Sequence, residues 1–140
     1  MKILIINGPN LNLVGSREPE LYGNENMDTY YRKLVDMFPE VQLSYFQSNI
    51  EGELINAIQS AIGKTEGLII NAGGYTHTSV AIRDAIAMIQ VPVIEVHISN
   101  VYKREDFRHK SLMASHCFGV IAGFGLDSYR LALLALINRK

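Results

Sequence analysis

The chain has 140 residues, of which 48 % are apolar and 19 % are charged, and its formal net charge is −1. This composition predicts one globular domain over residues 1–140, and the near-neutral charge gives no support to nucleic-acid binding. The sequence shows no membrane-spanning apolar stretch and no signal peptide, and Cys117 is its single cysteine, so we expect a cytoplasmic protein that binds no membrane.

Five short β-type runs alternate with helical patterns along the chain. The predicted strands are residues 3–6, 41–46, 68–70, 91–96 and 118–122, and the predicted helices are residues 27–38, 51–62, 79–90 and 128–138. The first and third runs are apolar throughout, which is typical of strands buried on both faces. The alternation therefore predicts an α/β, doubly wound parallel sheet with the flavodoxin-like strand order 2-1-3-4-5.

Polar residues follow three of these strands, in segments 7–11, 71–79 and 95–100. Open parallel sheets bind their ligands beyond the carboxyl ends of the strands. Asparagines and glycines after one strand are ordinary turn residues, but three such segments converge on one edge. The sequence thus predicts a small-molecule site at that edge.

Glu95 and His97 are two residues apart in the fourth strand, so their side chains point to the same side. A carboxylate favours the protonated form of a neighbouring imidazole and orients its ring, which suits a general acid. An ordinary ion pair at a strand end is the alternative interpretation.

The segment 14–24 is long and rich in glycine, proline and charge, and it contains Arg17 and Tyr22. Long loops at the functional edge of a sheet are often lids. Tyrosine is a poor base unless a nearby cation stabilises its phenolate, and arginine is such a cation. A solvated loop with an incidental tyrosine is the alternative.

His77 and Asp84 are seven residues apart, close to two helical turns. Asp84 is therefore either an exposed helix carboxylate or a polar group paired beneath His77. Downstream, Lys103, Arg104 and Arg108 form a basic run suited to an anionic substrate, although acidic neighbours also permit a surface salt-bridge segment.

Other classes of site lack their usual signals. Neither a phosphate-binding P-loop nor a dinucleotide-binding glycine turn follows the first strand, which argues against a flavin or other phosphate-binding module. A metal hydrolase using His77, Glu95 and His97 remains an alternative. Because strands three to five contain no lysine, a Schiff-base mechanism is disfavoured.

Short motifs in a fixed order resemble type II 3-dehydroquinate dehydratases over nearly the whole chain. They are Asn-Gly-Pro-Asn-Leu at 7–11, Arg-Glu-Pro-Glu-Leu-Tyr-Gly at 17–23, Phe-Gln-Ser-Asn at 46–49 followed by Glu-Gly at 51–52, Asn-Ala-Gly-Gly at 71–74, Thr-His-Thr-Ser at 76–79 and Glu-Val-His-Ile-Ser-Asn at 95–100. The resemblance implies a flavodoxin-like enzyme that uses no cofactor and no metal.

The resemblance also implies roles in the dehydration of 3-dehydroquinate to 3-dehydroshikimate by anti elimination through an enolate. Tyr22 would be the base, Arg17 would stabilise its phenolate, and His97, oriented by Glu95, would be the acid. Asn10 would position a water at the enolate. The implied substrate-binding residues are Asn71, His77, Asp84, Arg108 and the backbone amides of Ile98 and Ser99.

The same resemblance implies a homododecamer built as a tetramer of trimers, in which Asp84 reaches the site of a neighbouring subunit. Arg104 would support the closed lid. Two departures from the family pattern are Ile50, where a histidine is common, and a first-helix region about two residues short. Neither departure touches an implied catalytic role.

Overall fold

One parallel sheet organises the part of the chain that the structure describes. The computed structural model describes residues 1–16 and 25–139. Its strands are β1 (Lys2–Asn7), β2 (Gln42–Gln47), β3 (Gly67–Asn71), β4 (Val93–His97) and β5 (Gly119–Ala122). All pair in parallel in the order β2-β1-β3-β4-β5. The predicted flavodoxin-like fold is confirmed.

The helices are α1 (Met27–Met37), α2 (Glu51–Ser60), α3 (Val80–Met88) and α4 (Asp127–Ile137). Each lies within two residues of its predicted bounds. Two of them begin at side-chain caps: Asn26 accepts a hydrogen bond from the Thr29 amide, and Ser79 accepts one from the Ile82 amide. Such caps satisfy amides that a helix end otherwise leaves unpaired.

Strand β4 differs most from its predicted bounds, since it begins two residues later and includes His97. Pro92 has no amide hydrogen to donate to a strand ladder. Its carbonyl nevertheless accepts the Leu68 amide at the entrance of the sheet. The extension to His97 matters for function because it fixes that residue within a paired strand.

The sheet separates two apolar layers, because successive strand residues face opposite sides. Ile5 and Ile69 pack with α1 and α4, whereas Ile6 and Ile70 pack with α2 and α3. Both sides of the central strands are therefore covered by helices, and ligands can reach only the strand ends. No helix among the described residues is long and apolar enough to cross a bilayer.

The segments after β1 and β3 touch at Gly8. The Gly8 amide donates to the Asn71 carbonyl at 2.7 Å. A Cβ atom at position 8 would lie 2.6 Å from the Ala72 carbonyl oxygen, well inside van der Waals contact. Glycine is therefore required for this close approach, and the approach brings the polar segments of two strands to one edge.

Candidate active site

A cavity of about 200 Å³ opens at the carboxyl ends of β1, β3 and β4. Its lining includes seven of the residues predicted for the site: Asn10, Asn71, His77, His97, Ile98, Ser99 and Arg108. The position agrees with the rule for open parallel sheets. Arg17 and Tyr22 lie outside the described residues.

Glu95 and His97 form a direct contact at the cavity. His97 Nε2 lies 2.6 Å from Glu95 Oε2, and the Glu95 side chain is 1 % exposed. Both residues belong to β4, and their shared side follows from the alternation of a strand. Because Nε2 is engaged, Nδ1 is the ring nitrogen left for a ligand.

A residue that the sequence analysis missed holds the other oxygen of this carboxylate. Ser111 Oγ donates to Glu95 Oε1 at 2.7 Å. Ser111 lies sixteen residues beyond Glu95, after two short 3₁₀ helices at Val101–Lys103 and Asp106–His109. No periodicity connects such positions, so the sequence carried no signal for the contact.

His77 faces the same cavity with a different partner. Its Nδ1 lies 2.8 Å from the Lys110 carbonyl oxygen, and its ring stacks on that of His97 with centroids 6.2 Å apart. Burial lowers the pKa of His77, against the carbonyl hydrogen bond, and the charges of His97 and Arg108 lower it further. A neutral ring that donates from Nδ1 leaves Nε2 as an acceptor.

Two arginines supply positive charge to the lining. Arg104 Nη1 donates to Ser99 Oγ at 3.3 Å, and Arg108 Nε donates to Glu105 Oε1 at 3.0 Å. Glu105 is exposed, so this ion pair is screened by solvent. The basic run is thus both a pocket wall and a salt-bridged surface, which combines the two interpretations of its sequence.

A fully buried tyrosine joins the ends of two central strands. Tyr129, on α4, donates its hydroxyl to Asn7 Oδ1 at 2.7 Å and accepts from Asn71 Nδ2 at 3.1 Å. Asn71 Oδ1 in turn accepts the Gly73 amide. Burial raises the pKa of Tyr129, so its hydroxyl keeps the proton that Asn7 accepts. The sequence analysis missed Tyr129, although Asn7 and Asn71 are register partners.

Asn10 adopts a left-handed backbone, with φ of 71°. Asparagine tolerates this conformation better than most residues. Its amide donates to Asn49 Oδ1 at 3.0 Å, which ties the segment after β1 to the segment after β2. The backbone of Asn10 is therefore held in place at the edge of the cavity. Asn10 is exposed and belongs to the cavity lining.

Of the two interpretations of Asp84, the structure agrees with the exposed helix carboxylate and not with a polar group paired beneath His77. His77 ends a 3₁₀ helix at Gly73–His77, and α3 begins only at Val80, so the two residues share no continuous helix. The Asp84 side chain is 58 % exposed and pairs with Arg83 at 2.8 Å. Within the described residues it lies outside the cavity lining.

The described residues offer no set of metal ligands for the alternative interpretation, a metal hydrolase. Across residues 1–16 and 25–139, no three His, Cys, Asp or Glu side chains are grouped as metal ligands would be. Cys117 is half-buried against the α2 and α3 layer. Burial, followed by the charge of Glu95, raises the pKa of its thiol to about 12, so it is a poor nucleophile at neutral pH.

The fold and the cavity define an α/β enzyme with a carboxylate–histidine contact at the strand ends. A family model described as dehydroquinase class II matches residues 1–137. The chain therefore belongs to the class II dehydroquinase family, and the predicted resemblance is confirmed.

Individual relatives agree with this assignment. A 3-dehydroquinate dehydratase of Prochlorococcus marinus (strain NATL1A) is 49 % identical, over 99 % of this chain and 97 % of the relative. One from Exiguobacterium sp. (strain ATCC BAA-1283 / AT1b) is 57 % identical, over 99 % and 95 %. The crystal structure of a type II dehydroquinase from Butyrivibrio crossotus DSM 2876 superposes with a TM-score of 0.95 at 46 % identity, covering 99 % of this chain and 98 % of that one.

Proposed function

We propose that this chain dehydrates 3-dehydroquinate to 3-dehydroshikimate in the shikimate pathway, by anti elimination through an enolate. One observation carries the proposal. A buried carboxylate contacts a histidine at a polar cavity, in a member of the class II dehydroquinase family. The reaction removes one proton and one hydroxyl from the substrate, so it requires a base and an acid but no redox partner.

His97 is the proposed acid. Glu95 contacts Nε2 and orients the ring, and the ring lines the cavity. The proton at Nδ1 passes to the departing C1 hydroxyl, which leaves as water. Histidine is the side chain most often used for general acid–base proton transfer.

Tyr22 is the proposed base and removes the C2 proton, and Arg17 stabilises its phenolate. Their support is the motif at 17–23 and the chemistry of the pair. Lowering a tyrosine pKa by about 2–3 units needs roughly 3–4 kcal/mol, which a close guanidinium supplies when water is excluded. The electrons of the broken C–H bond form the enolate, where Asn10 positions a stabilising water.

The proposed binding residues each contact a different part of the substrate. The backbone amides of Ile98 and Ser99 bind the carboxylate, assisted by the positive charge of Arg108. His77 and Asn71 bind hydroxyl groups, since both residues line the cavity and hydrogen bonds fix their side chains. We propose no metal and no organic cofactor.

Asp84 can contribute to substrate binding only in the site of a second subunit. Its exposed position outside the cavity of its own chain fits the proposed homododecamer, in which it reaches a neighbouring site. Sedimentation velocity would detect this assembly. A monomer at catalytic concentrations would remove Asp84 from the proposed site. We also propose that residues 1–140 form a single catalytic domain and that the protein is located in the cytoplasm.

The reaction is tested by the appearance of the enone absorbance when 3-dehydroquinate is added. Borohydride treatment in the presence of substrate should leave the activity intact, because an enolate route forms no imine to trap. Inactivation by borohydride would instead indicate a Schiff base, and no absorbance change would reject the proposed function.

The proposed base is tested by Tyr22→Phe, which should abolish turnover and largely keep product binding. Arg17→Ala should lower kcat far more than it weakens substrate binding. Turnover like that of the unmodified chain in Tyr22→Phe would exclude this base. A large affinity loss with unchanged kcat would make Arg17 a binding residue.

A further inference from the structure

The hydrogen-bond direction at Ser111 is determined by its neighbours. Ser111 Oγ lies 3.1 Å from the Met113 amide nitrogen and 3.0 Å from the Ala114 amide nitrogen. Both amides are donors, so they occupy the acceptor positions of the hydroxyl. The single hydroxyl proton is therefore directed to the remaining partner, Glu95 Oε1, at 2.7 Å.

Glu95 is a buried carboxylate whose two oxygens each receive one donor. Oε2 is paired with His97 and Oε1 with Ser111. A buried charge is costly unless such partners compensate it, and the second partner also fixes the rotation of the carboxylate plane. Hydrogen bonds thus connect the turn at 111–114 to the His97 imidazole by way of the Glu95 carboxylate.

We infer that Ser111 is a positioning residue for the general acid, acting through Glu95 to orient His97 and to limit how tightly the pair holds its proton. This inference rests on the proposed function and adds a residue to its site. The Ser111 hydroxyl takes up part of the carboxylate charge. Without it, more of that charge faces the imidazolium, and His97 releases its proton less readily.

A second serine provides a matched control elsewhere in the chain. Ser48 Oγ donates to Glu53 Oε1 and accepts the Ile50 amide, so it resembles Ser111 in donating to a glutamate while it accepts a backbone amide from two residues further on. Glu53 is exposed and lies outside the cavity lining among the described residues. Ser48→Ala therefore removes the same kind of hydrogen bond without affecting the proposed acid.

The first experiment compares steady-state kinetics of Ser111→Ala and Ser48→Ala with 3-dehydroquinate. Ser111→Ala should lower kcat by about tenfold, the effect expected of one hydrogen bond to a charged group, with KM within about twofold. The fall of kcat at high pH should move to higher pH. Ser48→Ala should change neither, and Ser111→Thr, which keeps the hydroxyl, should restore both.

Other titratable groups near the pair stay in place in these variants. They are His77, stacked on His97, Cys117, whose thiol is affected by the Glu95 charge, and Arg108 beside His77. A shift of the high-pH limb in Ser111→Ala that is absent in Ser111→Thr is thus assigned to the lost hydroxyl.

The second experiment introduces Ser111→Ala into Glu95→Gln. If Ser111 acts through the carboxylate, its effect on kcat should shrink to about twofold or less in this background. An undiminished tenfold effect would overturn the inference, as would a Ser111→Ala enzyme with unchanged kcat and pH profile. If Ser111→Ala does not fold, Ser111→Cys, with its weaker donor, should show a partial loss, and full activity in that variant would overturn the inference. Absence of turnover in the unmodified chain would reject the proposed function instead.

Discussion

Two histidines face the same cavity, yet their surroundings differ in charge. His97 contacts the Glu95 carboxylate, whereas His77 contacts the Lys110 backbone carbonyl, and their rings stack 6.2 Å apart. A carboxylate compensates a positive imidazolium, but a carbonyl mainly selects which nitrogen carries the proton. The neighbouring positive groups His97 and Arg108 then oppose a charge on His77.

The atom that each histidine contacts, rather than the residue type, is therefore what distinguishes the proposed roles of His97 and His77. Two histidines that are held by different partners can divide acid and acceptor tasks within one site. His97 is accordingly the proposed acid and His77 the proposed neutral acceptor. Substitutions at the two positions should therefore affect different kinetic constants.

The largest effect is expected for His97→Gln. Loss of a general acid lowers kcat by about 10²–10⁴-fold, with product affinity within severalfold of the unmodified chain. Steady-state assays would measure kcat, and isothermal titration calorimetry would measure product affinity. His116→Gln changes a histidine outside the cavity lining and serves as the control. Retention of normal kcat in His97→Gln would make His97 a binding or structural residue.

Glu95→Gln should produce the next largest effect. The amide keeps the size of the carboxylate but removes the charge opposite the imidazolium, so kcat should fall by about 10–100-fold. Glu53→Gln is the matched control, since Glu53 also accepts from a serine and, within residues 1–16 and 25–139, forms no hydrogen bond or ion pair with a histidine. Equal losses in the two variants would show that the His97 contact carries no special role.

His77→Asn should have a smaller effect of a different kind. Losing one acceptor for a substrate hydroxyl should raise KM by about tenfold or less and leave kcat within severalfold. Initial-rate kinetics over a range of 3-dehydroquinate concentrations would measure both. The opposite result, a collapse of kcat with unchanged KM, would exchange the roles of the two histidines.

The smallest effect is a pH dependence of stability. Because the folded pKa of His77 is lowered, mainly by burial, the unfolded chain binds more protons as pH falls below the ordinary value. His77 thus destabilises the fold in acid and has no such effect above that value. Urea unfolding at about pH 5.5 and about pH 7.5 should show a smaller loss on acidification in His77→Asn than in the unmodified chain. Equal losses would contradict the lowered pKa.

Much of the fold could be predicted because local pattern and global structure agree. The apolar runs that became β1 and β3 face helices on both sides, and Ser79 capped α3 within one residue of its predicted start. Strand β4 was displaced because sheet pairing, which depends on β3, decides where it begins. Pro92, which has no amide hydrogen for a strand ladder, was the only local signal for this later start.

The site was predictable where its residues follow strands and unpredictable where distant segments meet. The side shared by Glu95 and His97 follows from alternation, whereas Ser111 and Tyr129 reach the site from a turn and a helix far along the chain. Their contacts depend on how those segments pack. For Asp84 the sequence left two interpretations open, because it does not show that the 3₁₀ helix at His77 ends before α3 begins.

The contact of Tyr129 with Asn7 and Asn71 has a consequence for biosynthesis. A ribosome makes β1, β3 and β4 long before it reaches α4. Until residue 129 leaves the exit tunnel, Asn7 Oδ1 and Asn71 Nδ2 lack the hydroxyl that they contact in the folded chain, and unpaired buried polar groups are unfavourable. A nascent chain arrested before α4 should therefore lack an ordered rim, and the enzyme should begin to work only after translation has passed this helix.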